Sequence, residues 1–157
     1  MKLDLIRELI AYNNAMSRRV WDSINQITDQ QFVEDDAYSR GSIRNLMVHL
    51  ASTDRRWLAG LKNLPDVGHL KFEDFSSRSV AHQVFENTAK ELEEYVRAQS
   101  EEELDGNAAD MSDPRWVVLV HLVNHGTDHR AIVLQRLHGL GAPTFDQDFI
   151  IWHWSEK

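Results

Sequence analysis

The sequence contains no cysteine and little glycine or proline, with seven and three residues respectively among 157. Without cysteine, the chain has no disulfide framework, no zinc–thiolate site and no cysteine nucleophile, which fits a reducing cytoplasm. No stretch approaches the ~18–20 apolar residues that a membrane-spanning helix needs. Charges near the N-terminus also interrupt the apolar run that a signal peptide requires. We therefore expect a cytoplasmic protein that does not enter a membrane.

The charge balance is acidic, with 17 Lys and Arg residues against 25 Asp and Glu, a formal net charge of −8. This sign disfavours binding to nucleic acid or to an anionic membrane, both of which require a basic surface. Single domains commonly contain ~100–200 residues, and 42% hydrophobic residues are typical of a globular chain. We predict one domain over residues 1–157 and no nucleic-acid partner.

Apolar residues recur every three or four positions in four long segments, as in amphipathic helices. The first predicted helix spans residues 3–27, and the second begins after the N-cap residue Ser42. Ser79 caps the third, while Pro114 opens the fourth, which runs to about His138. No alternation of period two extends beyond a few residues. The pattern predicts an all-α fold, a four-helix bundle with antiparallel neighbours.

The connections and the C-terminal tail carry weaker patterns. We predict a turn at residues 28–31 and an acidic polar loop at residues 100–112. The tail, residues 144–157, contains an apolar run from Phe149 to Trp154. Because such a run needs cover, we expect the tail to pack on the bundle or on the partner subunit of a homodimer.

Eight histidines are present, and three of them, His121, His125 and His129, follow one another at steps of four on the fourth helix. A step of four turns a helix by about 400° and advances it by ~6 Å, so these side chains share one side. Two imidazoles at this spacing can hold one metal ion. A third ligand must come from elsewhere, and His49, on the apolar face of the second helix, is the candidate. The spacing alone leaves open that these histidines are core residues.

Other catalytic motifs are absent from the sequence. It contains no Gly-x-Ser-x-Gly elbow, no glycine-rich phosphate loop and no His-Glu-x-x-His motif. The lack of Glu-x-x-His repeats disfavours a di-iron carboxylate bundle. The histidines therefore remain as the main candidates for chemistry.

The segment from His121 to Arg130, HLVNHGTDHR, resembles the signature of the DinB family of metal-binding bundles, which includes the YfiT-like proteins. Three other stretches agree with the family in the same order: YNN at residues 12–14, GSIRNL at residues 41–46 and LGAP at residues 140–143. The resemblance implies a four-helix bundle of the DinB/YfiT-like type, often dimeric, that holds a divalent metal through three histidines.

The ligands implied by the resemblance are His49, His125 and His129. His121 matches a frequent family histidine that is not a ligand. Three imidazoles leave at least one coordination position open, and imidazole suits Zn²⁺ or Ni²⁺. Asp54, Asn124 and Asp128 lie near the implied ligands and either accept the second N–H of an imidazole or face solvent.

Characterised relatives include bacillithiol S-transferases and a mycothiol-dependent maleylpyruvate isomerase. The resemblance therefore implies a metal-dependent transferase or isomerase that acts on a small molecule with a low-molecular-weight thiol as cosubstrate. Two alternatives stay open. One is a metal-dependent hydrolase, with water at the open position. The other is a non-catalytic metal-binding or stress-response module.

Overall fold

The computed structural model describes residues 2–108 and 111–156, and all of the regular structure in these ranges is helical. The predicted all-α class is confirmed. A 3₁₀ turn spans Phe72–Asp74. Within the described ranges, no helix is both long and apolar enough to span a membrane. The described residues form seven α-helices, which are α1 (Lys2–Ile24), α2 (Asp29–Val33), α3 (Ile43–Leu61), α4 (Arg78–Ala98), α5 (Glu101–Asp105), α6 (Arg115–Gly139) and α7 (Phe149–Ser155).

Two short helices, α2 and α5, lie where the sequence predicts a turn and a loop. The hydroxyl of Thr28 accepts a 3.1 Å hydrogen bond from Gln31 N, and Gln31 Oε1 accepts one of 2.9 Å from Thr28 N. Ser100 and Glu103 form the same capping box at the start of α5. Each box satisfies free N–H groups at a helix start, which stabilises one helical turn in place of the predicted irregular segment.

The starts of the long helices agree closely with the sequence. Ser42 caps α3 as predicted, and Pro114 immediately precedes α6. Helix α4 begins at Arg78 rather than after Ser79, because Asp29 Oδ1 accepts hydrogen bonds from both Arg78 N, at 3.1 Å, and Arg78 Nε, at 2.7 Å. The contact with Asp29 of α2, far away in the sequence, therefore shifts the start of α4.

The directions of the four longest helices follow from two apolar clusters. One cluster contains the N-terminal halves of α3 and α4 and the C-terminal halves of α1 and α6, whereas the other contains the opposite halves. Helices α1 and α6 therefore run in one direction and α3 and α4 in the other. Because α1 packs on α6 and α3 packs on α4, the predicted antiparallel arrangement is wrong for these two pairs.

The long connection between α3 and α4 makes the parallel pairing possible. Helix α3 has 19 residues and is therefore about 28 Å long. Residues 62–77 must lead the chain back along that length before α4 can start in the same direction. An extended segment of this size reaches ~50 Å, which is enough for the return.

A layer of buried polar side chains separates the two apolar clusters. Its members are exposed by only 0–5%, so they lie inside the bundle. We call this set the polar layer: Asn13, Asn14 and Ser17 of α1, Thr88 of α4 and Arg130 of α6. The middle of the bundle is thus polar. Arg130 of this layer directly follows the candidate ligand His129 on α6.

The C-terminal segment packs against α1 of its own chain. The ring of Tyr12 lies 5.3 Å from the ring of Phe149 and 5.6 Å from that of Trp152. Tyr12 Oη donates a hydrogen bond to Gln147 O, and Arg130 Nε donates one of 2.7 Å to Gln147 Oε1. These contacts join the segment that precedes α7 to the polar layer.

Candidate metal centre

The three histidines implied as ligands meet between α3 and α6. His125 Nε2 lies 3.1 Å from His49 Nε2 and 3.0 Å from His129 Nε2. Each of the three side chains contributes one nitrogen, and these three nitrogens all lie within 4.8 Å of one another. The four-residue step places His125 and His129 on one side of α6, and the antiparallel helix α3 presents His49 to them.

The three Nε2 atoms cannot satisfy one another by hydrogen bonding. A neutral imidazole nitrogen is either a donor or an acceptor, with one direction in the plane of the ring. His125 Nε2 faces two other nitrogens, so at most one of these contacts can be a normal hydrogen bond. The Nδ1 atoms of His125 and His129 are buried and have no hydrogen-bond partner. A cation at the centre of the three Nε2 lone pairs would remove the conflict.

The spacing of the nitrogens fits a divalent metal ion. Nitrogens bound at ~2.0–2.1 Å are separated by ~3.3–3.4 Å around a tetrahedral ion and by ~2.8–3.0 Å at right angles around an octahedral one. The observed separations of 3.0 and 3.1 Å lie between these values. Among the described residues, no carboxylate and no fourth histidine joins the group. The three histidines can therefore hold an ion that keeps an open coordination position.

The model of the DinB family matches residues 1–157, the whole chain. The chain belongs to the DinB family. No curated protein matches its sequence significantly. Membership of the DinB family confirms the resemblance seen in the fourth-helix segment, and it agrees with the helical fold and with a histidine triad that could bind a metal ion.

The triad of this DinB protein is held in its neutral form. Burial lowers the pKa of His49 to about 3, and the positive charge of Arg40 acts in the same direction. Burial and the neighbouring His129 lower the pKa of His125 to about 4. Burial also lowers the pKa of His129, although Asp128 opposes the shift. Metal ligation requires deprotonated imidazole, so the triad is ready to bind at neutral pH.

The other polar candidates from the sequence stay outside this group. His121 is exposed, and its ring lies 5.6 Å from the rings of both His125 and Trp57. Asn124 is exposed on the outer side of α6. Asp128 Oδ2 lies 3.9 Å from His129 Nδ1, which is too far for a hydrogen bond. In the described part of the chain, neither Asn124 nor Asp128 accepts a hydrogen bond from a triad imidazole.

The sequence pattern does not predict a role at the site for Arg130, the residue after His129. In the structure Arg130 is fully buried. Its guanidinium donates hydrogen bonds to Asn13 Oδ1 at 2.6 Å, to Ser17 Oγ at 3.1 Å and to Gln147 Oε1 at 2.7 Å. Burial lowers the pKa of Arg130 to about 10, so it remains a cation at neutral pH. The network joins α6 to α1 directly beside the triad.

The position of Arg130 on its helix could have indicated this burial. It lies four residues after Gly126 and three before Val133, both of which are buried. A charged side chain on the apolar face of a helix must find hydrogen-bond partners inside the protein. The matching polar positions, Asn13 and Ser17, interrupt the apolar face of α1.

Two open pockets lie around Trp57, and their linings include residues one helical turn from the triad histidines but none of the triad itself. One, of about 390 Å³, is lined by Thr53 and Trp57, which follow His49 at steps of four on α3. The other, of about 470 Å³, is lined by Trp57 and Val118 together with His121, which precedes His125 by four residues. The indole of Trp57 thus forms an apolar wall shared by both pockets, in which the organic part of a ligand could lie.

Proposed function

We propose that this DinB-family protein binds one divalent metal ion, Zn²⁺ or Ni²⁺, through His49, His125 and His129. The convergence of the three Nε2 atoms, 3.0 and 3.1 Å apart, is the observation that carries the proposal. When bound, such an ion lowers the pKa of a thiol or water at its open position and polarises a carbonyl group. The neutral state of the imidazoles and the absence of a fourth described ligand both support this role.

We further propose a metal-dependent transferase or isomerase that uses a low-molecular-weight thiol as cosubstrate. Arg40 supports this function because its positive charge acts on all three triad imidazoles. A cation at this place also favours the anionic form of a thiol that enters the site. The indole of Trp57 and the side chain of Val118 offer apolar surface to an electrophile in the pocket that contains His121, one turn of α6 before His125.

We favour a thiol over water as the nucleophile. A water molecule needs a general base within hydrogen-bond reach, whereas a thiol loses its proton much more readily. Among the described residues, no carboxylate oxygen belongs to the group of ligand nitrogens, so a base for water would have to lie outside that group. Metal-dependent hydrolysis is therefore the second candidate, and a non-catalytic metal-binding or stress-response module is the third.

We also propose that the four longest helices form the bundle of a single domain, residues 1–157, and that this domain is a cytoplasmic homodimer. Helix α7 supports dimerisation, since it packs on α1 with one side and leaves Ile150, Ile151 and Trp154 exposed by 48–61%. Sedimentation velocity over a range of concentrations tests this point. A mass that stays at one chain would contradict the dimer.

Elemental analysis of protein purified without chelator tests the metal site. We expect about one divalent ion per chain in the wild type and none in His125→Ala. His138→Ala is the matched control, because His138 lies on the same helix but is exposed. Turnover of an electrophile panel, with and without added thiol, then tests the reaction. Metal binding without thiol-dependent turnover would refute the transferase or isomerase and leave the binding module.

A further inference from the structure

The pocket of about 470 Å³ that contains His121 is lined by residues of α3, of α6 and of the segment before α6. We call it the His121 pocket. Trp57, Met111 and Val118 give it a largely apolar wall, formed by an indole, a thioether and a branched side chain. Because a cavity of ~150 Å³ is enough for one benzene ring, the His121 pocket has room for an aromatic ring that carries a substituent.

Met111 is held against α3 beside Trp57. A Cβ atom added to Gly60, three residues after Trp57, would stand 2.5 Å from Met111 Cε, so the methyl group of Met111 lies directly on that helix. Asn107 Nδ2 donates a 2.9 Å hydrogen bond to Ser112 O, which ties the segment around Met111. The apolar wall of the His121 pocket is therefore in place before a ligand binds.

The chemical nature of this wall favours an aromatic ligand over an aliphatic one. An aromatic ring gains free energy from edge-to-face or offset stacking with an indole, beyond the burial of its surface. A methionine sulfur also makes favourable contacts with the edge of an aromatic ring. A saturated ring of the same size gains only the burial, so Trp57 and Met111 distinguish between the two.

His121 links the pocket to the triad. Its ring lies edge-on to the indole of Trp57, with centroids 5.6 Å apart at 70°, and it stacks on the ring of His125 at 5.6 Å and 27°. In the described part of the chain, the His121 imidazole makes these ring contacts but no hydrogen bond. An imidazole carries an N–H donor in either protonation state, so His121 can donate to a carbonyl oxygen in the pocket.

The charges around the pocket favour an uncharged ligand. Among the described residues that line it there is no Lys or Arg, so a carboxylate group would find no counter-ion there. The lining does include Asp113, whose Oδ2 accepts a 3.2 Å hydrogen bond from Ser112 Oγ. The negative charge of Asp113 repels an anion in the pocket.

We propose that the His121 pocket binds the electrophile of the reaction, and that this electrophile is an uncharged aryl carbonyl compound. Its aromatic ring lies against Trp57 and Met111, and its carbonyl oxygen accepts a hydrogen bond from an imidazole N–H of His121. This inference rests on the proposed function, whose electrophile it assigns to a chemical class. Since the His121 ring stacks on the ring of His125, the hydrogen bond holds the carbonyl group on the side of the pocket next to His125.

Binding of three unreactive probes to the zinc-loaded full-length protein tests the inference. The probes are benzamide, its saturated analogue cyclohexanecarboxamide, and the anion benzoate. The NMR signal of the Met111 methyl group, in methyl-labelled protein, reports occupation of the pocket without any need for turnover. We expect benzamide to bind about two- to tenfold more tightly than the saturated amide, and at least about threefold more tightly than benzoate.

Two variants separate the contacts of the ring from that of the carbonyl group. Trp57→Leu should abolish the preference for the aromatic amide. His121→Phe keeps a ring but removes the donor, so it should weaken benzamide binding about two- to tenfold and leave the binding of toluene, which has no acceptor, unchanged. His138→Phe is the matched control, since His138 is exposed on the same helix but does not line the pocket, and it should bind benzamide as the wild type does.

Equal affinity of the wild type for benzamide and for either of the other two probes would overturn the inference, and this comparison needs no variant to fold. Equal affinity of His121→Phe and His138→Phe for benzamide would overturn it as well. Elemental analysis of the same samples keeps the two proposals apart. Failure of these probe comparisons in protein that holds zinc refutes the inference alone, whereas a wild type that binds no zinc contradicts the proposed function.

Discussion

Gly126 of α6 lies directly against Asn13 of α1. A Cβ atom added to Gly126 would overlap Asn13 Oδ1 and stand 2.7 Å from Arg130 Nη1. Asn13 cannot move aside freely, because its Oδ1 accepts a 2.6 Å hydrogen bond from Arg130. The glycine between the two triad histidines of α6 is therefore required by the network behind the triad.

Gly126→Ala should destabilise the protein by about 2–4 kcal/mol. The better helix propensity of alanine contributes ~0.5–1 kcal/mol, but overpacking costs ~1–3 kcal/mol and a lost hydrogen bond to a charged group ~1.5–3 kcal/mol. Urea unfolding measures the difference. Gly139→Ala is the control, since a Cβ there meets no atom within 4 Å. Equal stability of the two variants would contradict the role of Gly126.

Metal binding should stabilise the fold. Zn²⁺ at about 100 times its Kd adds ~2.7 kcal/mol to the free energy of unfolding, which corresponds to a rise in Tm of roughly 5–10 °C for a chain of this size. His125→Ala should abolish the rise, because His125 Nε2 faces both other triad nitrogens. His138→Ala should retain it. Differential scanning calorimetry with and without Zn²⁺ makes the comparison, and an equal rise in both variants would speak against the site.

Arg130→Lys should cost about 2–4 kcal/mol in stability even though it keeps the charge. A lysine ammonium cannot reach Asn13, Ser17 and Gln147 together, which the guanidinium does, so buried acceptors lose their donors. Because Gln147 precedes α7, hydrogen exchange in that helix should also become faster. Arg97→Lys, at an exposed position, should change neither quantity. Unchanged exchange in α7 would show that Gln147 does not anchor it.

Asp54→Asn should stabilise the protein above pH 7, the opposite of what loss of a structural ion pair does. The pKa of Asp54 is raised to about 7. Between about pH 4 and pH 7, Asp54 is therefore protonated in the native state but ionised in the unfolded chain. This group therefore makes stability fall as pH rises through that window. The Tm of Asp54→Asn should exceed that of the wild type by a few degrees at about pH 8, and the gap should close at about pH 4. A constant gap would contradict the assignment.

The triad histidines should make the stability of the protein rise with pH, whereas Asp54 makes it fall. The pKa values of His49 and His125 are lowered to about 3 and about 4, whereas histidines of the unfolded chain titrate near ~6.5. Below that pH the unfolded chain binds more protons than the native one, so metal-free protein should lose stability as pH falls. NMR titration of the imidazole protons checks whether the triad histidines cause this loss of stability. Titration of His49 near ~6.5 in the native protein would remove this explanation.

Much of the candidate site could be predicted from the sequence because its features are local. The step from His125 to His129 fixes two ring directions on one helix, and His49 stands next in sequence to the apolar residues of the second predicted helix. The capping boxes at Thr28 and Ser100 are equally local, but each stabilises only one turn, and the sequence pattern predicts a turn and a loop at these places. The composition and the helical period were sufficient for the all-α class.

Arg130 and Asp54 required the tertiary structure. Their helix positions predict burial, but not which partner each one meets, since an arginine on an apolar face is satisfied equally well by a carboxylate or by neutral acceptors. Here Arg130 is surrounded by Asn13, Ser17 and Gln147, and Asp54 is left without a donor among the described residues. That difference arises between helices far apart in the chain.

The sequence by itself determined the four longest helices, because a period of 3.6 and the capping residues act over a few neighbouring positions. It also limited the candidate ligands to His49 and the histidines spaced by four on α6, among which the family resemblance implied His49, His125 and His129. Only the tertiary structure decided that α1 lies parallel to α6 and α3 parallel to α4. An apolar stripe is equally well buried by a parallel or an antiparallel neighbour. The choice therefore depends on long-range contacts such as those of the polar layer, which no local pattern specifies.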